Sequence, residues 1–174
     1  MLSKNVCVVG AGYWGKNHIR TLHKLGALGG IVESNQGTLN NFKLQYPEVK
    51  GFLSLDEALA EECFLGFIVA TPAETHFKVA KKIILAKKHV LVEKPFTLNL
   101  KDAENLVMLG KENNVNIMVG HVLLFHPAIR KIQELINNGT LGKLQYIYSN
   151  RLNFGQVRTE ENVFWSLATH DISI

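Results

Sequence analysis

Two stretches, FLGFIVA (64–70) and HVLVE (89–93), are apolar at nearly every position. Strands of that kind fit only a sheet that is covered on both faces, and such sheets are parallel. Each parallel step needs a crossover of a dozen or more residues, normally a helix. The chain supplies both parts in alternation. NVCVVG (5–10), GGIVES (29–34), VKGFL (49–53) and NIMVG (116–120) read as further strands. YWGKNHIRTLHKLG (13–26), a polar segment running to Tyr46, SLDEALAE from Ser54, residues 74–86 and residues 99–114 read as helices. Ser54 and Glu57 have the spacing of a capping box. The pattern predicts a doubly wound α/β domain over residues 1–120.

After residue 120 the pattern changes. HPAIRKIQELINNGTLG (126–142) reads as one helix with a glycine-rich exit, and His126 as its cap. KLQYIYSNRLNFG (143–155) alternates like a strand with one wet face, and VFWSLATHDISI opens another helix in which the chain stops. The expectation for 121–174 is the start of a second, α+β domain, begun here and not completed.

The 174 residues are 47% hydrophobic and 20% charged, a balance that fits a soluble globular protein. The N-terminus enters an apolar strand at once, without the basic leader and cleavage site of a signal peptide. No apolar run reaches the length of a membrane span. A cytoplasmic location is the expectation, with no membrane partner. Cys7 and Cys63 sit in apolar contexts without a short-spacing motif and read as buried small hydrophobes rather than as a disulfide pair. No His and Cys cluster has metal-ligand spacing, so no metal is expected. The net charge is +4, but the densest lysines (Lys78, Lys81, Lys82, Lys87, Lys88) lie along and just after one helix. They read as a solvated face and not as a nucleic-acid stripe. A mild positive bias suits an anionic small-molecule substrate.

VVGAGYWGKN places Gly10, Gly12 and Gly15 between the first strand and the first helix. The first glycine permits a tight turn, the second lets backbone approach a pyrophosphate, and the third lets helix pack on strand. Free N–H groups at the helix start then face the anion. Glu33 closes the second strand 18 residues beyond Gly15, in position to accept hydrogen bonds from a ribose diol. A carboxylate there repels a 2′-phosphate, and the following SNQG offers no arginine, so NAD is expected over NADP. Proteins that bind S-adenosylmethionine use a similar turn and acid, and at this point that class stays open.

Ligands of open α/β sheets bind beyond the carboxyl ends of the strands. The fourth strand leaves through Thr71 and Pro72, with His76 one turn into the next helix. The fifth ends in Glu93, Lys94 and Pro95, and the sixth in Gly120 and His121. A partly desolvated lysine at that edge can exchange protons near neutrality, and Pro95 can hold a cis bond that aims it. The alternative is an ordinary exposed lysine before a loop proline, and spacing alone does not choose between them.

GAGYWGKN, ATPAETH, EKP and GHVLLFHPA, in this order, resemble the Gfo/Idh/MocA oxidoreductases over the entire chain. The segment from YIYSNRLNFG to THDISI looks most like bacterial 3-dehydrogenases of UDP-N-acetylglucosamine or its uronic acid. The resemblance implies a Rossmann-type doubly wound parallel sheet followed by the start of an α+β second domain. It implies Lys94 and His170 as the acid–base pair and Glu93 near the nicotinamide ribose. Tyr13, Trp14, Thr71, Pro72, His76, His121 and Trp165 are expected at the cofactor, and Arg158 and Asn162, with Lys94 and His170, at a sugar-nucleotide substrate. Ser166 and Ser173 stand where many members carry aspartates, which puts the proton relay in question. Family members are longer, and their further sheet walls the substrate site and commonly forms the interface of a homo-oligomer. The expected reaction is hydride transfer from C3 of the sugar to NAD, with Lys94 or His170 as base. A dehydrogenase of inositol or a free sugar, and a non-catalytic NAD-binding module, stay open. A methyltransferase gives no reason for the EKP lysine.

Overall fold

The computed structural model describes residues 4–152 and 164–174, and the chain divides into two compact units, Met1–Gly120 and His121–Ile174. In the first, six strands form one sheet: β1 (Val6–Val9), β2 (Leu28–Val32), β3 (Lys50–Phe52), β4 (Gly66–Val69), β5 (His89–Val92) and β6 (Ile117–Val119). Their order is β3-β2-β1-β4-β5-β6, and every pairing is parallel. Between them run α1 (Gly15–Lys24), α2 (Gln36–Gln45), α3 (Leu55–Leu59), α4 (His76–Leu85) and α5 (Leu100–Glu112). The chain therefore winds outward from β1 in one direction and returns to β4 on its other side. That reversal opens a crevice between β1 and β4 at the carboxyl edge.

The apolar runs are explained by two cores, one on each face. Along β1 successive side chains point to opposite sides. Cys7 and Val9 join Phe64, Phe67, Ile83, Ile84 and Leu106 under α3, α4 and α5. Val8 joins Ile19, Ile31, Leu39 and Ile68 under α1 and α2. Phe64 is fully buried and meets Phe52 and Phe67 edge-on at centroid distances of 5.9 and 5.8 Å. Gly30 in β2 makes its room, since a Cβ there would stand 2.7 Å from the Phe64 ring. The expected capping box at α3 is present in a variant form. Ser54 Oγ accepts the Glu57 N–H at 3.4 Å, while the Glu57 carboxylate accepts from the Ser54 hydroxyl and the Leu53 N–H.

Both cysteines are free. Cys7 is buried as expected, but Cys63 is exposed, because it precedes β4 in the turn after α3 rather than lying in a strand. Burial pushes the Cys7 thiol far above its ordinary pKa. Only thiolates react quickly, so iodoacetamide is expected to modify one of the two thiols in native protein and the second only after denaturation. Mass spectrometry of the modified peptides checks this, and rapid native labelling of Cys7 would contradict the packing of β1.

In the second unit α6 spans Pro127–Asn137, and its predicted extension to residue 142 is instead a turn in which Gly139 and Gly142 take positive φ. His126 caps α6 as expected, its Nδ1 accepting the Ala128 N–H at 3.2 Å. The predicted strand over 143–155 does not form in its described part, residues 143–152. A strand exists through its ladder, and among the described residues these have no such partner. A π-helical turn, Phe164–Ala168, leads into α7, Thr169–Ile172. Among the described residues no helix is long and apolar enough to cross a membrane.

Candidate active site

The parallel sheet brings the ends of β1, β4 and β5 side by side, and with them the glycine loop, Thr71–Pro72 and Glu93–Lys94–Pro95. Gly10 has φ of 92°, and its N–H is held by the Val32 carbonyl at 2.9 Å. A Cβ on Gly10 would stand 2.8 Å from the Ala70 carbonyl oxygen, and one on Gly15 would stand 1.9 Å from the Gly10 carbonyl oxygen. At Gly12 an added Cβ meets nothing within 4 Å. The loop is thus closed against β4 at its two ends and open in the middle. Helix α1 follows without an acid in its first turn and without a side-chain cap, its Lys16 and Asn17 N–H groups donating to the Gly12 and Trp14 carbonyls at 3.2 and 2.9 Å, and its positive end faces the loop. Glu33 leans over the same loop. Its Oε2 accepts the Ala11 N–H at 3.0 Å and its Oε1 the Asn35 N–H at 2.9 Å. Each carboxylate oxygen keeps a further lone pair. An open backbone stretch, an uncapped helix start and a fixed carboxylate at the neighbouring strand end fit the pyrophosphate and adenosine ribose of NAD.

Tyr13 is 81% exposed, with the Lys16 ammonium 5.3 Å from its ring centroid. Trp14 turns the other way, and its indole Nε1–H donates to Glu93 Oε1 at 2.6 Å. The same oxygen is met by His18 Nε2 at 2.6 Å, a residue that sequence reasoning did not single out. A signal was available, since Trp14 and His18 are four apart and so share one face of α1. Glu93 Oε2 accepts the Lys94 N–H at 3.2 Å. Glu93 is 6% exposed, so its carboxylate faces α1. Its partners in the structure are therefore Trp14, His18 and the Lys94 N–H.

His76 is also turned inward. It is 1% exposed, with Nδ1 2.7 Å from the Pro95 carbonyl oxygen and Nε2 2.9 Å from that of Thr71. Both ring nitrogens face backbone carbonyls, which places the residue between two strand exits. The Thr71 hydroxyl accepts from the Thr75 hydroxyl at 2.7 Å, and the Pro72 carbonyl accepts the Thr75 N–H at 2.9 Å. The Lys94–Pro95 peptide is cis, as the sequence allowed, and Lys94 is half-buried.

His121, Trp165 and His170 belong to the second unit. His170 lies in α7, and its neighbour Asp171 takes a two-point contact from Arg151, Nε to Oδ2 at 2.8 Å and a terminal nitrogen to Oδ1 at 3.0 Å. The Ser149 hydroxyl adds a bond at 3.1 Å. The Arg151 hydrogen bonds hold the Asp171 carboxyl below its ordinary range. Arg158 and Asn162 lie outside the described residues.

Residues 4–121 match the family model GFO_IDH_MocA, described as an oxidoreductase family with an NAD-binding Rossmann fold. A UDP-N-acetylglucosamine 3-dehydrogenase of Acidithiobacillus ferrooxidans is 28% identical over 175 residues, which cover 100% of this chain and 54% of the relative. The WlbA dehydrogenase of Bordetella pertussis, solved in complex with NADH and UDP-GlcNAcA, is 25% identical with a TM-score of 0.76. The match covers 82% of this chain and 42% of that one. GenD2 from gentamicin A biosynthesis, solved in complex with NAD, is 29% identical with a TM-score of 0.76, over 80% of this chain and 40% of its own. The chain spans about half the length of the first of these relatives. It belongs to the Gfo/Idh/MocA oxidoreductases, and its first unit is their NAD-binding Rossmann domain.

Proposed function

We propose that the chain belongs to a dehydrogenase that oxidises the C3 hydroxyl of UDP-N-acetylglucosamine or its uronic acid. The observation that carries this reading is the half-buried Lys94 at the carboxyl end of β5, at the same sheet edge as the open glycine loop. The likeness to a 3-dehydrogenase over the full chain supports the substrate. Bound NAD supplies the hydride acceptor. The backbone of Gly12 and the start of α1 hold its pyrophosphate, and Glu33 accepts from its adenosine ribose. Lys94 or His170 takes the hydroxyl proton as the C–H bond breaks, and the other orients the hydroxyl and offsets alkoxide charge. Arg158, Asn162 and Trp165 hold the sugar nucleotide and nicotinamide side. A cytoplasmic homo-oligomer is the setting we assign to it.

A second reading is a module that binds NAD without turnover. One experiment separates the two. Purified protein is incubated with NAD and, in turn, UDP-N-acetylglucosamine, its uronic acid, inositol and a free sugar, and NADH formation is followed by absorbance. The proposal expects NADH with a sugar nucleotide. NADH formed only with inositol or a free sugar overturns the substrate, and NAD binding with no NADH from any of them favours the module.

Glu33→Ala is expected to weaken NAD about 10- to 100-fold, the loss of charge-assisted hydrogen bonds worth about 1.5–3 kcal/mol, and to narrow the preference over NADP. Titrations with both cofactors, read by Tm, check this. Unchanged NAD affinity would remove Glu33 from the ribose.

A further inference from the structure

The segment bearing Lys94 is held from two sides by histidines of two different helices. On one side, His18 of α1 meets Glu93 Oε1 at 2.6 Å, beside the Trp14 indole on the same oxygen. The other carboxylate oxygen accepts the Lys94 backbone N–H, so the contact passes directly to the lysine's own backbone. Gly120 at the end of β6 leaves the space, since a Cβ there would stand 3.1 Å from the Glu93 carboxyl atoms. On the other side, His76 of α4 meets the Pro95 carbonyl at 2.7 Å and the Thr71 carbonyl at 2.9 Å. A neutral ring has a single N–H to donate, so it hydrogen-bonds one of the two carbonyls and lies between the exits of β5 and β4. Residue 93 is anchored through its carboxylate and residue 95 adjoins the His76 ring, so Lys94 between them has restricted backbone freedom. A buried carboxylate with several donors is costly to disturb, because removing one partner leaves its charge undersolvated.

We propose that His18 and His76 are positioning residues that clamp Glu93–Lys94–Pro95 from the two flanking helices and so set where the Lys94 ammonium stands. The consequence for function is a link between the cofactor helix and the proton-handling residue. Helix α1 begins at the glycine loop and one turn later carries His18, so a shift of α1 on cofactor binding reaches Lys94 through Glu93. The functional meaning rests on the reading of Lys94 as an acid–base residue, but the clamp itself does not.

The test measures how fast Lys94 and the other lysines are acylated by an amine-specific reagent in native protein, peptide by peptide, alongside NAD affinity from Tm shifts. Loss of one buried hydrogen bond alters a local opening equilibrium about tenfold. His18→Leu is accordingly expected to raise the Lys94 rate by about that factor while distant lysines such as Lys43 and Lys131 keep theirs. His18→Gln, whose amide nitrogen can reach the Nε2 position, restores most of the protection. His76→Gln, whose amide can still donate to one of the carbonyls, falls between. An unchanged Lys94 rate in folded His18→Leu overturns the clamp, and so does a rise shared by all lysines, which is general loosening. If Lys94→Ala sustains hydride transfer, the acid–base reading fails while the labelling still decides the clamp.

Discussion

Gly15→Ala is expected to give a protein that melts far below the parent and shows no rise in Tm with NAD. The added Cβ would stand 1.9 Å from the Gly10 carbonyl oxygen and 2.9 Å from its carbon, so backbone itself must move. Gly10 cannot yield easily. Its own Cβ position already lies 2.8 Å from the Ala70 oxygen, and its N–H is bound to Val32 across β2. Overpacking against side chains costs about 1–3 kcal/mol, and here the obstacle is main chain, so a cost above about 3 kcal/mol follows. For comparison, NAD at one hundred times its Kd stabilises the parent by about 2.7 kcal/mol. Gly12→Ala provides the contrast, because its methyl meets nothing within 4 Å. That variant should melt like the parent and still lose NAD affinity, since the methyl stands where the pyrophosphate approaches. Differential scanning fluorimetry with and without NAD reads both. A Gly15→Ala protein with the parent's Tm would refute the loop geometry, and unchanged NAD affinity in Gly12→Ala would move the pyrophosphate elsewhere.

The glycine loop was legible in the sequence because its three positions are local: strand, turn and helix follow one another within a dozen residues. The central strands were legible for a related reason. A strand buried on both faces must be apolar throughout, and 64–70 and 89–93 state that without reference to any partner. What was not legible depends on which residues meet. Glu93 is separated from Trp14 and His18 by 79 and 75 positions, and nothing near Glu93 tells that its carboxylate meets these two side chains. His76 is a similar case. Its position after ATPAET placed it at the right edge, but only the neighbouring exit of β5 supplies the second carbonyl that draws the ring inward. Alternation over 143–155 reported an amphipathic pattern, but its described residues, 143–152, have no ladder among the described residues, and a pattern without a ladder does not make a strand. Cys63 stood next to apolar Phe64, yet it falls in the turn before β4, where the neighbour is buried and the cysteine is not.

Glu93 Oε1 is met by Trp14 and His18 and its Oε2 by the Lys94 N–H, and the function proposed above assigns the proton transfer to Lys94 or His170. Lys94→Ala is therefore expected to lower kcat for sugar-nucleotide oxidation about 10²- to 10⁴-fold, the range that a positioned general acid or base contributes. The NAD-dependent rise in Tm should persist, because the glycine loop and Glu33 are untouched. His170→Ala serves as the partner measurement. Groups that act on one proton as a unit are not additive, so the double variant should be little slower than the worse single one. The pH dependence of kcat/KM then assigns the base: the limb that reports its ionisation disappears in the variant that lacks it and survives in the other. A Lys94→Ala enzyme within about threefold of the parent's kcat would place the proton transfer outside the EKP segment, since even a weak general catalyst exceeds that factor.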